Sequence, residues 1–163
     1  MSAATWVTSD THFFHTNIIA HCKRPYVSMQ EMNKDLIDRW NAKVRKGDNI
    51  IVVGDFAFGH DNDRIKEVVN VLNGHKILVR GNHDGSKSMM AKLGFNLVVN
   101  KFMLDDVTFR HIPPPWNSID PNQKIVYGHV HNNVHARPSR KCFNACVEVN
   151  NYEPVNLNQL KFR

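Results

Sequence analysis

The sequence predicts a mixed α+β (α/β) chain: two packed β-sheets with helices outside. Three observations carry that expectation. Short, wholly apolar runs end abruptly in glycine and polar residues, as at Ile50-Ile51-Val52-Val53-Gly54-Asp55. In the first half such runs alternate with stripes of helical period, and the second half is strand-rich with little helix. Two sheets sharing a core, covered by helices, satisfy that order of elements. Ligands of α/β sheets sit beyond the carboxyl ends of the strands, so the polar strand ends are the place to look for chemistry.

Each element follows from a local signal. Residues 5–9 read as a strand running into Asp10, followed by a turn and a short helix around 16–21. Ser28 with Glu31 three residues on is the capping-box pattern. The helix it opens carries Met32, Leu36, Ile37, Trp40 and Val44 as a stripe, with Gly47 as the expected stop. The run from Ile50 is apolar at every position, as in a strand buried on both faces. Asp61 or Asn62 caps the next helix, whose stripe is Ile65, Val68, Val69 and Leu72, and Gly74 closes it. A strand at 76–79 and a helix at 87–93 follow. Strands at 96–99, 101–104 and 107–110 form a series with an Asp105-Asp106 turn, and three prolines halt the chain after His111. Residues 125–127, 144–149 and 155–157 read as the remaining strands, and Asn150-Asn151 as a turn. No repeat, low-complexity tract or linker interrupts the 163 residues, so 1–163 is expected to be a single domain.

Composition narrows the class. At 42% hydrophobic and 22% charged the chain is globular rather than disordered. The net charge of +6 is spread over short groups, such as Lys23-Arg24 and the stretch 137–141. That reads as a solvated surface, or as a positive rim steering an anionic substrate. No apolar run approaches the roughly 20 residues of a membrane span, and no leader pattern opens the chain. The three cysteines match no zinc spacing. Cys142 and Cys146 fall on one expected strand, too far apart for a disulfide. All three are therefore read as thiols in a reducing, cytoplasmic setting.

Five clusters of metal-ligand residues stand at the predicted strand ends: Asp10-Thr11-His12, Gly54-Asp55, Gly81-Asn82-His83-Asp84, His111 and Gly128-His129-Val130-His131. Asp, Asn and His bind hard and borderline divalent cations, and a buried carboxylate or imidazole pair is costly without a partner. Asp10-Thr11-His12 and Gly54-Asp55 are each common as loop caps. Gly-Asn-His-Asp has no core role at the end of a buried strand. Alternate histidines of Gly-His-Val-His face one side. Taken together, the five clusters are expected to converge on one metal centre, and several of the ten histidines, a high count for this length, fall inside them.

Their order and content, D-x-H, G-D, G-N-H-[DE], a lone H and G-H-x-H, resemble the calcineurin-like metallophosphoesterase superfamily over residues 10–131. The text around Asp10 and the tail Asn150-Asn151-Tyr152-Glu153-Pro154 resemble its short single-domain bacterial and phage members. The resemblance implies a four-layer αββα sandwich of two mixed sheets flanked by helices. It implies two divalent ions: Asp10, His12 and His131 on one, Asn82, His111 and His129 on the other, and Asp55 bridging. It also implies His83 beside the scissile phosphate and Asp84 orienting His83. His75 and His135 are rivals to His111 in less suitable contexts. A bridging hydroxide would attack phosphorus in line with the leaving alkoxide, and Mn²⁺ is the first expectation, with Fe, Zn²⁺ or Ni²⁺ also suited.

Substrate contacts are expected from His15, Arg80, Asn82 and His83, with Arg24, Arg110, Arg137 and Arg140 candidates by charge alone, and Trp116 as a surface on which a base could stack. The expected substrate is a phosphate ester, such as a nucleotide or a nucleic-acid end. With no cap to enclose a small monoester, a diester is favoured. The competing readings are a phosphomonoesterase, a catalytically silent scaffold, which would have lost His83 or several ligands, and a sequence-independent nucleic-acid binder.

Overall fold

The computed structural model of the chain describes residues 2–120, 122–133 and 141–162, with Trp116 described in its backbone alone. The expectations placed on His135, Arg137, Arg140 and the Trp116 ring lie outside the described residues.

One sheet holds β4 (Leu97–Val99), β3 (His75–Val79), β2 (Asn49–Val52), β1 (Thr5–Thr8) and β9 (Val155–Asn156), in that order. β1 to β4 run parallel, and β9 is an antiparallel edge. The other sheet runs β5 (Phe102–Leu104), β6 (Val107–Arg110), β7 (Lys124–Tyr127), β8 (Cys142–Asn144). β5 and β6 form the expected hairpin over Asp105-Asp106, while β6, β7 and β8 are parallel. The helices α1 (Thr16–His21), α2 (Met29–Lys43), α3 (Asn62–Val71) and α4 (Lys87–Lys92) place Ile18, Leu36, Val68 and Met90 in one core with Ile50, Val52 and Leu78 of the first sheet.

The run at β2 explains the layering. Ile50 and Val52 face the helices, while Ile51 and Val53 face the second sheet in a core with Val7, Val79, Phe109 and Val126. Pleated alternation sends successive residues to opposite faces, so both faces must be apolar. The four-layer order holds with a thin fourth layer. Over the outer face of the second sheet, a 3-10 turn at Trp116–Ser118 leads into Ile119, which packs with Ile125 and Tyr127.

Local signals held in most places. Ser28 accepts from the Glu31 amide and Glu31 reaches back to the Val27 amide, a cap displaced by one residue. Asp61, not Asn62, caps α3. Two expectations need correcting. α2 ends at Lys43, ahead of Gly47, because Val44 turns extended and Asp48 draws the chain round by accepting from the Arg45 amide. The strand expected over 144–149 is absent. β8 stops at Asn144, whose side chain accepts from the Cys146 amide, and Val147–Val149 is a 3-10 turn. Asn150 donates to the carbonyls of Asn144 and Cys146, fixing that bend. Cys142 and Cys146 therefore do not share a strand, and all three cysteines are free. The bend carries the chain from the second sheet to the first. Ala145 still bonds Tyr127, but Cys146 bridges Ser9 and Val147 donates to the Ser9 carbonyl.

Candidate metal centre

Beyond β1 and β2 the chain keeps pairing as it leaves the sheet: the Asp10 amide donates to Gly54 and the His12 amide to Asp55. Asp10, His12, Asp55, His129 and His131 all adopt positive φ, between 49° and 72°. Strained backbone of this kind persists where surrounding structure over-determines it, and it clusters at functional sites. Gly54 and Gly128 allow the close approach. A Cβ on Gly54 would stand 2.3 Å from His111 Nδ1, and one on Gly128 would stand 2.4 Å from Asp10 Oδ2.

The five turns meet in space as two adjoining groups. Ligand atoms of Asp10, His12 and His131 lie within 4.8 Å of one another, as do those of Asp55, His111 and His129. Asp55 Oδ2 joins the groups, 3.6 Å from His12 Nε2 and 3.2 Å from His111 Nε2. Asn82 Oδ1 is 3.1 Å from His111 Nε2, which puts it beside the second group. The rival His75 opens β3, at the amino end of that strand, and is exposed.

Hydrogen bonds aim these atoms inward. Asp10 Oδ2 accepts from Ser9 Oγ, the His129 amide and Cys146 Sγ. Asp10 Oδ1 is buried with no partner, and so is His12 Nε2, 3.7 Å away. His131 Nε2 also stands 3.7 Å from Asp10 Oδ1. Two orphaned buried ligand atoms side by side are costly unless a cation fills the gap, and the mixed imidazole and carboxylate set suits a borderline divalent ion. The Val53 carbonyl 2.7 Å from His111 Nδ1 fixes that ring with Nε2 turned to Asp55.

The electrostatics agree. Burial opposes charge on Asp10, but the imidazoles of His12, His111 and His131 outweigh it and hold the carboxyl well below its usual range. Burial likewise opposes protonating His111 and His131. Asp55 and Asp10 raise His111 to about 9, and Cys22, Glu148 and Asp10 raise His131 to about 10.

Other expected residues separate. His83 and Asn82 are exposed at the rim, the His83 amide donates to Asp55 Oδ1, and its ring meets the edge of His12 with centroids 5.4 Å apart. His15 Nδ1 lies 3.2 Å from His12 Nδ1, and its ring stacks on Phe58 at 4.0 Å. Burial together with His12 and His83 lowers His15 to about 4. Asp84 does not turn to His83. It accepts the backbone amides of Asp55 and Gly81 on one oxygen and of Phe56 on the other, which ties two ligand turns together. Arg24 is no substrate contact either. It is buried, and it donates to the carbonyls of Asp10 and Thr11 and to Glu148.

Glu148 and Ser9 carry no signal in the sequence, and Cys146 reads there only as a thiol, not as a partner of Asp10. Glu148 Oε1 lies 2.9 Å from His131 Nδ1 and 2.6 Å from Arg24 Nη2. It sits in a segment that reads as an alternating strand, and its role exists only because that segment bends.

Comparisons with known proteins bear on the same fold and site. The chain is 37% identical over 158 residues, 93% of its length, to the uncharacterized protein MJ1445 of Methanocaldococcus jannaschii, covering 86% of that protein. The crystal structure of the protein of unknown function AQ665 from Aquifex aeolicus shares the fold with a TM-score of 0.75 at 24% identity, over 97% of each chain. The family model for calcineurin-like phosphoesterases matches residues 4–152, a span that holds all five converging turns. The chain therefore belongs to the calcineurin-like phosphoesterase family, metal-dependent hydrolases of phosphate esters.

Proposed function

We propose that the chain hydrolyses phosphodiesters at a centre of two divalent cations. The observation that carries this reading is the position of Asp55 Oδ2, which faces the Nε2 atoms of both His12 and His111 and so can serve two ions at once. Asp10, His12 and His131 would hold one ion, and Asn82, His111 and His129 the other. Their nitrogen and oxygen donors suit Mn²⁺ first, and Fe, Zn²⁺ or Ni²⁺ as well. When bound, the pair supplies Lewis acidity towards water and the phosphate oxygens.

The protein supplies orientation and a proton. Asp84 locks the Asp55 and Gly81 turns, so the ligands need not reorganise. His83, exposed beside the His12 ring, would donate a hydrogen bond to a phosphoryl oxygen or a proton to the leaving oxygen. The exposed rim at Asn82, His83 and His129 admits a substrate that continues on both sides of its phosphate, which favours a diester such as a nucleotide or nucleic-acid end. No helix among the described residues is long and apolar enough to cross a membrane.

The test compares bis-p-nitrophenyl phosphate with p-nitrophenyl phosphate, with metal-free protein and with Mn²⁺ added. We expect Mn²⁺-dependent turnover of the diester, reduced about 10²-fold or more in His83→Ala with metal content retained. Turnover of the monoester alone would make the protein a phosphomonoesterase. Two bound metals without turnover of either ester would point to a silent scaffold.

A further inference from the structure

The strand ends that build the second ligand group also carry two arginines that the metal centre does not use. Arg80 follows β3 and Arg110 closes β6, so one guanidinium comes from each sheet. They border a hollow of 240 Å³ whose other walls include Asn82, Asn100 and His111. Asn82 and His111 belong to the second group, so the hollow opens directly beside it.

Among the described residues no carboxylate pairs with the charge in this hollow. Elsewhere, Arg24, Arg39 and Arg45 each rest on a carboxylate, and Arg64 lies over the Phe14 ring. Arg80 instead donates through Nε to the Gly85 carbonyl and through Nη1 to Asn100 Oδ1. Arg110 donates through Nε to the Ile112 carbonyl. Among the described residues neither forms an ion pair. Each is held through part of its fork, which leaves further N–H groups for a ligand. Two restrained guanidinium groups beside a metal site repel one another and the ions unless an anion lies between them. Forked N–H donors match the oxygens of a phosphate. The hollow is below the roughly 300–1,000 Å³ of a site that encloses a whole small molecule, so it suits one anionic group of a larger substrate.

The geometry points to a second phosphate subsite formed by Arg80 and Arg110, which holds a phosphate flanking the scissile one. This rests on the phosphodiesterase reading and narrows it to polyanionic substrates, of which a phosphorylated oligonucleotide end is the simplest. The hollow is lined by Asn82 and His111 of the second group and not by His15, Phe58 or His83, and so gives the bound chain a direction.

The probes are thymidylyl-thymidine and the same dinucleotide with a terminal phosphate at its 5′ or 3′ end. Their affinities for metal-free protein are measured by calorimetry, and their kcat/KM values with Mn²⁺. One of the phosphorylated forms should bind and react about tenfold or more better than the parent. Arg110→Gln and Arg80→Gln should each bring that ratio to within about twofold of unity. Arg110→Lys, which keeps the charge, should preserve part of it. A wild-type protein that hydrolyses bis-p-nitrophenyl phosphate but shows no preference, or a preference that survives in both Gln variants, overturns the subsite. If no diester is hydrolysed, the function proposed above fails separately, and the metal-free affinities alone decide the subsite.

Discussion

At the scale of single residues, the centre depends on groups that never touch a cation. Glu148 shows how. Its side chain is 1% exposed, and one oxygen serves both His131 and Arg24, while Arg24 secures the carbonyls of Asp10 and Thr11. An imidazole that ligates a metal keeps its orientation and basicity through the partner of its other nitrogen. Glu148→Gln should therefore weaken binding at the Asp10–His12–His131 group about 10–100-fold and leave the Asp55–His111–His129 group occupied. Metal content after dialysis against graded chelator, read together with a calorimetric Mn²⁺ titration, checks this. Loss of both ions in step, or of neither, would show that His131 does not depend on Glu148. The same substitution leaves Arg24 buried without its anion, so thermal unfolding should also come earlier.

At the scale of elements, the centre is a set of turns pressed together, and their glycines set the spacing. On Gly128 an added Cβ would stand 2.1 Å from Ser9 Oγ and 2.9 Å from the Val53 carbonyl as well as against Asp10. Neither neighbour can retreat, because Ser9 Oγ is bonded to both Asp10 and Val53. Gly128→Ala should cost about 1–3 kcal/mol through overpacking and displace the Asp10 carboxylate. Urea unfolding and metal analysis together test it, and a variant with native stability and full metal content would refute the packing account. These turns are the most legible part of the sequence, because the chemistry demands Asp, Asn and His and the crowding demands Gly. What could not be read there are the contacts made by folding back. Arg24 looks like any surface cation until its burial is known. Residues 144–149 alternate like a strand, but Asn144 and Asn150 satisfy the local backbone with their own side chains and end it. The role given to Asp84 failed for a related reason, since three backbone amides from two turns claim its carboxylate first.

At the scale of the whole molecule, the sandwich was readable because β2 is apolar at every position and must be covered on both faces. The end of the first sheet opposite the metal centre is held by a group with no distinguishing mark in the sequence. Asp48, 1% exposed, accepts from the Ala4 amide, Trp6 Nε1, the Arg45 amide and the Arg45 guanidinium, and its carbonyl accepts from His75. The carboxylate thus ties the start of β1 to the corner after α2, and the carbonyl of the same residue holds the start of β3. The Arg45 side chain and amide, then the Ala4 amide, hold its carboxyl well below the usual carboxylate range. A carboxyl depressed in the folded state stabilises the fold at every pH above its unfolded value, and that contribution fades as pH falls below it. Asp48→Asn should cost about 1–3 kcal/mol at neutral pH. The gap between wild type and variant should stay constant from pH 7 to about pH 5 and begin to narrow below about pH 4. Urea unfolding of both proteins at pH 7, 5 and 3.5 measures it. A gap that is unchanged at the lowest pH would mean that Asp48 works through packing alone, and a gap that closes already between pH 7 and 5 would assign the linkage to a histidine.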